Sequence, residues 1–184
     1  VNLKNHLHLF ASDDHGESWY LIEAPLKPAN ESKVVELMDG SWMVNCRISN
    51  GGLRYIHTSP DEGKTWNGYA DSTLLDPSCN ASIIRYSSIE KGDDRNRLLF
   101  ANANSADARE NMCVKISYDE GKTWSKGKTI YAGSAAYSTL TKLSNGDIGL
   151  CFEKDDYQEN VFVSFSLAYL TDGKDQTIKN DENE

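Results

Sequence analysis

The chain has 184 residues, 39% hydrophobic and 26% charged, which is enough for one ordinary domain with a core of its own. Its formal net charge is −9 and no basic stripe offsets the acid, so a nucleic-acid partner is not expected. No run approaches the roughly 18 apolar residues of a membrane span. No secretory leader is visible within the sequence, and its start at Val1 reads as that of a processed chain or a fragment.

The first element is a strand from Leu7 to Ser12, running into Ser12-Asp13-Asp14-His15-Gly16-Glu17-Ser18-Trp19. That octapeptide fits S-x-D-x-G-x-[ST]-W, as do Ser59 to Trp66 and Ser117 to Trp124. An Asp side chain accepts hydrogen bonds from backbone N–H groups across a turn, and Gly permits the positive φ where the chain reverses. Ser or Thr adds a local bond, and the Trp is expected to pack under the turn. The three boxes lie 47 and 58 residues apart, a repeat of hairpin staples. Asp14, Asp61 and Asp119 therefore read as structural carboxylates, not catalytic ones.

An exit strand near Tyr20 to Ile22 follows the first box. Next, Val34 to Leu37 leads through Asp39-Gly40 to Trp42 to Arg47, and a third strand, Arg54 to Thr58, enters the second box. Asp-Gly and Asn-Gly between short apolar runs are strong hairpin signals. The middle copy is Ser82 to Tyr86, a longer polar loop, Arg97 to Ala101, and Met112 to Ser117. The last is Ser138 to Leu143, Asn145-Gly146, Ile148 to Glu153, and roughly Val161 to Leu167, with no box after it. No stretch keeps a helical period. A polar tail begins at Lys174, and 176–184 is expected to be disordered. Repeated antiparallel sheets of about four strands indicate a β-propeller. The fold class is all-β, with about three and a half blades over residues 1–175. Cys46, Cys79, Cys113 and Cys151 form no CxxC pair, which argues against zinc and for buried free thiols, with one disulfide left open.

Propellers bind ligands at the mouth of the central channel, where the inner strands start. Glu31 precedes the inner strand of its blade, and Tyr137 holds the equivalent position later. Arg47 ends a second strand, Glu153 is its counterpart in the last blade, and Arg109 precedes a third strand. Taken singly, such Arg and Glu residues are ordinary solvated surface and Tyr137 an ordinary packed ring. Their alignment across blades is what a shared site requires.

With the boxes, the order Asn30-Glu31-Ser32, Arg47, Arg109-x-Asn111, Tyr137-Ser138 and Glu153 closely resembles the exo-α-sialidases (neuraminidases) of the bacterial and animal type. Asp76 to Ser82 resembles a blade-entry segment of that family and Phe165 to Asp175 the segment closing its final blade. The resemblance implies the C-terminal half of a six-bladed propeller. It makes Arg47 and Arg109 the second and third members of an arginine triad gripping the sialic acid carboxylate. Tyr137 becomes the nucleophile, Glu31 its partner, and Glu153 the carboxylate that holds the first arginine. The first arginine, on an arginine-isoleucine-proline segment, and the aspartic acid/base have no counterpart here. They are expected on blades N-terminal of residue 1, which makes those blades a partner and this piece alone inactive.

A ketoside bearing a carboxylate suits bidentate guanidinium binding. A neutral phenol avoids the repulsion that a carboxylate nucleophile would meet at an anionic substrate. The expected reaction is release of terminal α-linked sialic acid with net retention through a tyrosyl intermediate, needing neither metal nor cofactor. Substrates would be sialylated glycoproteins, glycolipids and oligosaccharides, outside the cell or in the periplasm. The alternatives are a non-catalytic Asp-box propeller binding glycan or protein, and a trans-sialidase. N-x-S sequons at Asn30 and Asn80 are expected to be unmodified.

Overall fold

A computed structural model describes residues 7–176. All of its strand pairs are antiparallel. The first blade is a pair, β1 (Leu7–Ala11) and β2 (Tyr20–Leu26). The second is complete, in the order β3 (Ser32–Glu36), β4 (Trp42–Cys46), β5 (Gly52–Ser59) and β6 (Asn67–Asp76). The third begins with β7 (Ser82–Ser87), β8 (Arg97–Ala103) and β9 (Glu110–Ser117). Its outer strand is the first part of β10 (Lys128–Lys142), whose second part is the inner strand of the last blade. There it pairs with β11 (Ile148–Lys154), which pairs with β12 (Glu159–Phe165). The fold is a partial β-propeller.

Burial follows from the stacking. β8 lies in the middle blade and is buried at every residue, which explains its unbroken Leu98-Leu99-Phe100-Ala101 run. β1 and β12 have one face covered, and their residues alternate. Each apolar layer joins two blades. Val35, Met43 and Ile56 meet Ile83, Leu98 and Phe100, while Leu99, Val114 and Tyr86 meet Leu140, Ile148 and Leu150. The hairpin turns stand where Asp39-Gly40 and Asn145-Gly146 place them. Gly40 (φ +81°) and Gly146 (φ +87°) donate their N–H groups back to Leu37 and Leu143.

The boxes repeat one set of bonds. Asp61 accepts from Thr65 N at 2.8 Å and Thr65 Oγ1 at 2.7 Å, and Ser59 Oγ accepts from Gly63 N at 2.7 Å. Asp14 does the same with Ser18, and Asp119 with Thr123. Two successive residues take positive φ in each box: His15-Gly16, Glu62-Gly63 and Glu120-Gly121. The glycine is required by space as well. A Cβ on Gly63 would lie 2.7 Å from Ile22 Cγ2 of the preceding blade, and one on Gly121 2.7 Å from Met43 Cε. Thus each of these boxes presses on the blade before it.

Four expectations need correction. Trp66 and Trp124 pack into cores, but Trp19 is 66% exposed, because among the described residues no sheet precedes the first box. The outer strand β6 was not legible, since Asn67 to Ala70 are all exposed. The last strand ends at Phe165 and a single helical turn, Leu167–Leu170, follows, capped where Ser166 Oγ accepts from Tyr169 N. One turn is too short to show a period. The tail is anchored further than Lys174: Asp175 is buried and accepts two bonds from Arg97, at 2.8 and 2.7 Å, and one from the Tyr118 hydroxyl. Of the stretch expected to be disordered, all but Gln176 lies outside the described residues. The four cysteines are free thiols, with Cys46, Cys79 and Cys113 pushed up to about 11 by burial.

The box carboxylates make the fold acid-sensitive. Hydrogen bonds from Ser18 hold Asp14 at about 2, and those from Thr65 hold Asp61 below its ordinary 3.8. At Asp119 partial desolvation pushes upward, but bonds from Thr123 and Ser117 outweigh it. A depressed folded-state pKa gives stability that is present above the ordinary value and lost as pH falls through the folded one. The near-UV circular dichroism of the packed tryptophans should therefore weaken as pH falls from about 4 to 2. Gly63→Ala should cost about 1–3 kcal/mol in urea unfolding, since it adds both backbone strain and a clash.

Candidate active site

Three blades and one linker supply a single cluster. Glu31 lies just ahead of β3, Arg47 just after β4, Arg109 just ahead of β9 and Glu153 within β11. Tyr137 sits where β10 passes from one blade to the next. The register there changes from Ala135 opposite Lys154 to Ser138 opposite Phe152, so one extra residue is accommodated on β10. A bulge bends its strand and re-aims the side chain it carries. The Tyr137 N–H is taken up by Glu153 Oε2 at 3.0 Å.

The tyrosine hydroxyl donates to Glu31 Oε1. Arg47 Nη1 donates to the other Glu31 oxygen at 2.6 Å and to the tyrosine oxygen at 3.1 Å. The Arg109 guanidinium lies 5.7 Å from the centre of the Tyr137 ring. Partial desolvation raises the Tyr137 phenol above its ordinary 10.0, as do the hydrogen bond to Glu31 and its charge, and Arg47 opposes them. Desolvation also pushes Glu31 upward, but bonds from Tyr137 and Arg47 and the nearby guanidinium charges outweigh it and leave the carboxyl below 4.5. At rest the proton is on the phenol and Glu31 is a carboxylate.

The sequence-selected residues Glu31, Arg47, Arg109, Tyr137 and Glu153 thus meet. Glu153 touches the backbone of Tyr137, and its Oε1 has no protein partner among the described residues. Asp14, Asp61 and Asp119 stay in their turns. Two residues that sequence reasoning passed over also touch the arginines. Tyr157 Oη accepts from Arg109 Nη1 at 2.7 Å. It belongs to a hairpin in which Asp155, Asp156 and Tyr157 all have positive φ, and the polar Asp-Asp pair between two strands was the only sign of it. Ser78 Oγ accepts from Arg47 Nε at 3.2 Å, and the Ser78 carbonyl accepts from Arg109 Nη2 at 2.9 Å.

Beneath Ser78 lies a buried ion pair. Arg54 and Asp76 have fully buried side chains 3.3 Å apart. Arg54 also donates to the Cys79 carbonyl at 2.7 Å and to Asn45 Oδ1 at 2.6 Å, and Asp76 accepts from Cys79 N at 3.0 Å. Burial pushes Asp76 up and Arg54 down, each opposed by the partner's charge.

The BNR repeat-like domain family matches residues 2–150. The chain belongs to this family. A sialidase of Micromonospora viridifaciens is 39% identical over 163 residues, covering 86% of this chain and 25% of that protein. The solved structure of the Hadza microbial sialidase Hz136 superposes with a TM-score of 0.79 at 30% identity, over 90% of this chain and 33% of its own. A leech intramolecular trans-sialidase, solved with 2,7-anhydro-Neu5Ac, gives a TM-score of 0.70 at 27% identity over 90% of this chain and 28% of its own. The chain spans a quarter to a third of the length of these relatives.

Asp76→Asn leaves Arg54 as an uncompensated buried charge, and removing one partner of such a pair costs about 3–5 kcal/mol. A matching drop in unfolding free energy is expected from urea titration, and a change under 1 kcal/mol would show the pair to be unimportant for the linker.

Proposed function

We propose that these residues form the carboxylate-binding and nucleophilic side of an exo-α-sialidase site in the whole protein. The observation that carries this reading is the neutral Tyr137 hydroxyl donating to Glu31 while Arg47 holds the opposite carboxylate oxygen. Arg47 and Arg109 bind the substrate carboxylate. The phenol oxygen attacks the anomeric carbon as Glu31 takes its proton, so no free phenolate has to form in advance. The glycosyl–tyrosine bond is then hydrolysed, and two inversions give net retention. A general acid for the leaving group and a further arginine are supplied by other blades, with residues 1–175 as the C-terminal half of the propeller. The length of the relatives supports this division. The 184 residues alone would then not turn over. Sialylated glycoproteins, glycolipids and oligosaccharides are the substrates, met outside the cell or in the periplasm.

Tyr137→Phe in the whole protein should lower kcat by at least about a thousandfold while a sialic acid analogue still binds. Unchanged turnover would dismiss the nucleophile. Proton NMR of the first-formed product reports its anomeric configuration, and β-sialic acid would contradict retention. Free sialic acid identifies a hydrolase, whereas 2,7-anhydro product identifies an intramolecular trans-sialidase.

The pH profile has a definite sign. Glu31 works as the carboxylate and its pKa is depressed, so the acidic limb of kcat/KM should lie below pH 4.5. Arg47→Gln removes a hydrogen bond and a charge that depress it, and should move that limb upward.

A further inference from the structure

Ser78 is one of the non-glycine residues with positive φ, at +57°. An L-residue other than Gly or Asn is held there at a cost, and such positions gather at functional sites. Its neighbours leave it no room to relax. The Arg54–Asp76 pair grips Cys79 from both sides, through its carbonyl and its N–H. The Gly51 backbone packs so tightly that an added Cβ would lie 3.2 Å from the Asp76 carbonyl and 3.3 Å from Ser78 N. Held this way, Ser78 meets two guanidiniums from different blades. Its hydroxyl takes Arg47 Nε and donates to the Ile48 carbonyl at 3.0 Å, and its carbonyl takes Arg109 Nη2. Among the described residues, Arg47 Nη2 is left without a protein partner.

We propose that Ser78 is a positioning residue that fixes the spacing and orientation of Arg47 and Arg109, and thereby sets affinity for the ligand carboxylate without touching the ligand. This rests on the reading of the two arginines as a carboxylate grip. The chemistry is direct. A guanidinium on a long side chain has many rotamers, and binding an anion normally requires it to lose them. Ser78 has already taken one edge of each, so the loss is incurred on folding and the remaining N–H groups are pre-oriented.

The test is Ser78→Gly in the whole protein. Glycine suits the backbone better and keeps the carbonyl for Arg109, so thermal stability should hold or rise. It removes only the hydroxyl that holds Arg47. KM for a 4-methylumbelliferyl sialoside should rise about tenfold with kcat changed less than about threefold, the scale expected from one lost hydrogen bond to a charged group. Ser78→Asn tolerates the same backbone and restores an acceptor, and should recover most of the affinity. A Ser78→Gly KM within twofold of wild type, with Tyr137→Phe inactive, would overturn the Ser78 role and leave the site reading standing. An active Tyr137→Phe would overturn both.

Discussion

A carboxylate that takes the N–H and the hydroxyl of the residue four positions on is the bond from which this architecture grows. It closes each box tightly enough for the chain to reverse within a few residues, and in the second and third boxes it brings a glycine backbone flush against the preceding sheet. Gly63 meets Ile22 and Gly121 meets Met43, so the turn is also a spacer between blades. At the third box the neighbour adds polar links. Glu120 accepts from the Met38 N–H and from both terminal nitrogens of Arg85. Stacking held by these boxes buries β8 on both faces and sets the sheets at the spacing the cluster needs.

The site is then a matter of where the strands end. Glu31, Arg47 and Arg109 flank strand ends, and Tyr137 comes from a bulge in the strand shared by two blades. The bulge leaves a backbone N–H to satisfy, and Glu153 satisfies it. Between phenol and carboxylate the proton stays on the phenol, because burial and the neighbouring anion both oppose a phenolate. Under the proposed reaction, two carboxylates could not share this arrangement with a substrate that is itself anionic. In the proposed site the neutral phenol and the arginine pair are two answers to the same charge.

Much of this was legible in the sequence. The boxes and the Asp39-Gly40 and Asn145-Gly146 turns are local signals, each complete within a few residues, and the strands they join fall where they imply. Glu31, Arg47, Arg109, Tyr137 and Glu153 could be selected because they occupy corresponding places in successive repeats and match a familiar order. What escaped depends on through-space or backbone facts. β6 carries exposed polar residues on its outer edge and so lacks a strand's alternation. Trp19 has the motif of its equivalents and no sheet beside it. The part taken by Ser78 rests on a positive φ and on a buried pair, Arg54 with Asp76, drawn from positions 22 residues apart. Tyr157 reaches Arg109 through three consecutive left-handed residues, none of them glycine.

The hydrogen bond between Tyr137 and Glu31 joins residues 106 positions apart, and that from Arg47 to Tyr137 joins residues 90 apart. Contacts of such separation require the closure of long loops, so the Tyr137–Glu31 pair is expected to assemble after the sheets. The pair belongs to two blades and is bridged by an arginine, not by backbone. A relative shift of one blade against another by about an ångström is enough to part Tyr137 from Glu31 while every sheet remains intact. The geometry of Tyr137, Glu31 and Arg47 is a property of the packing between blades and not of any one of them.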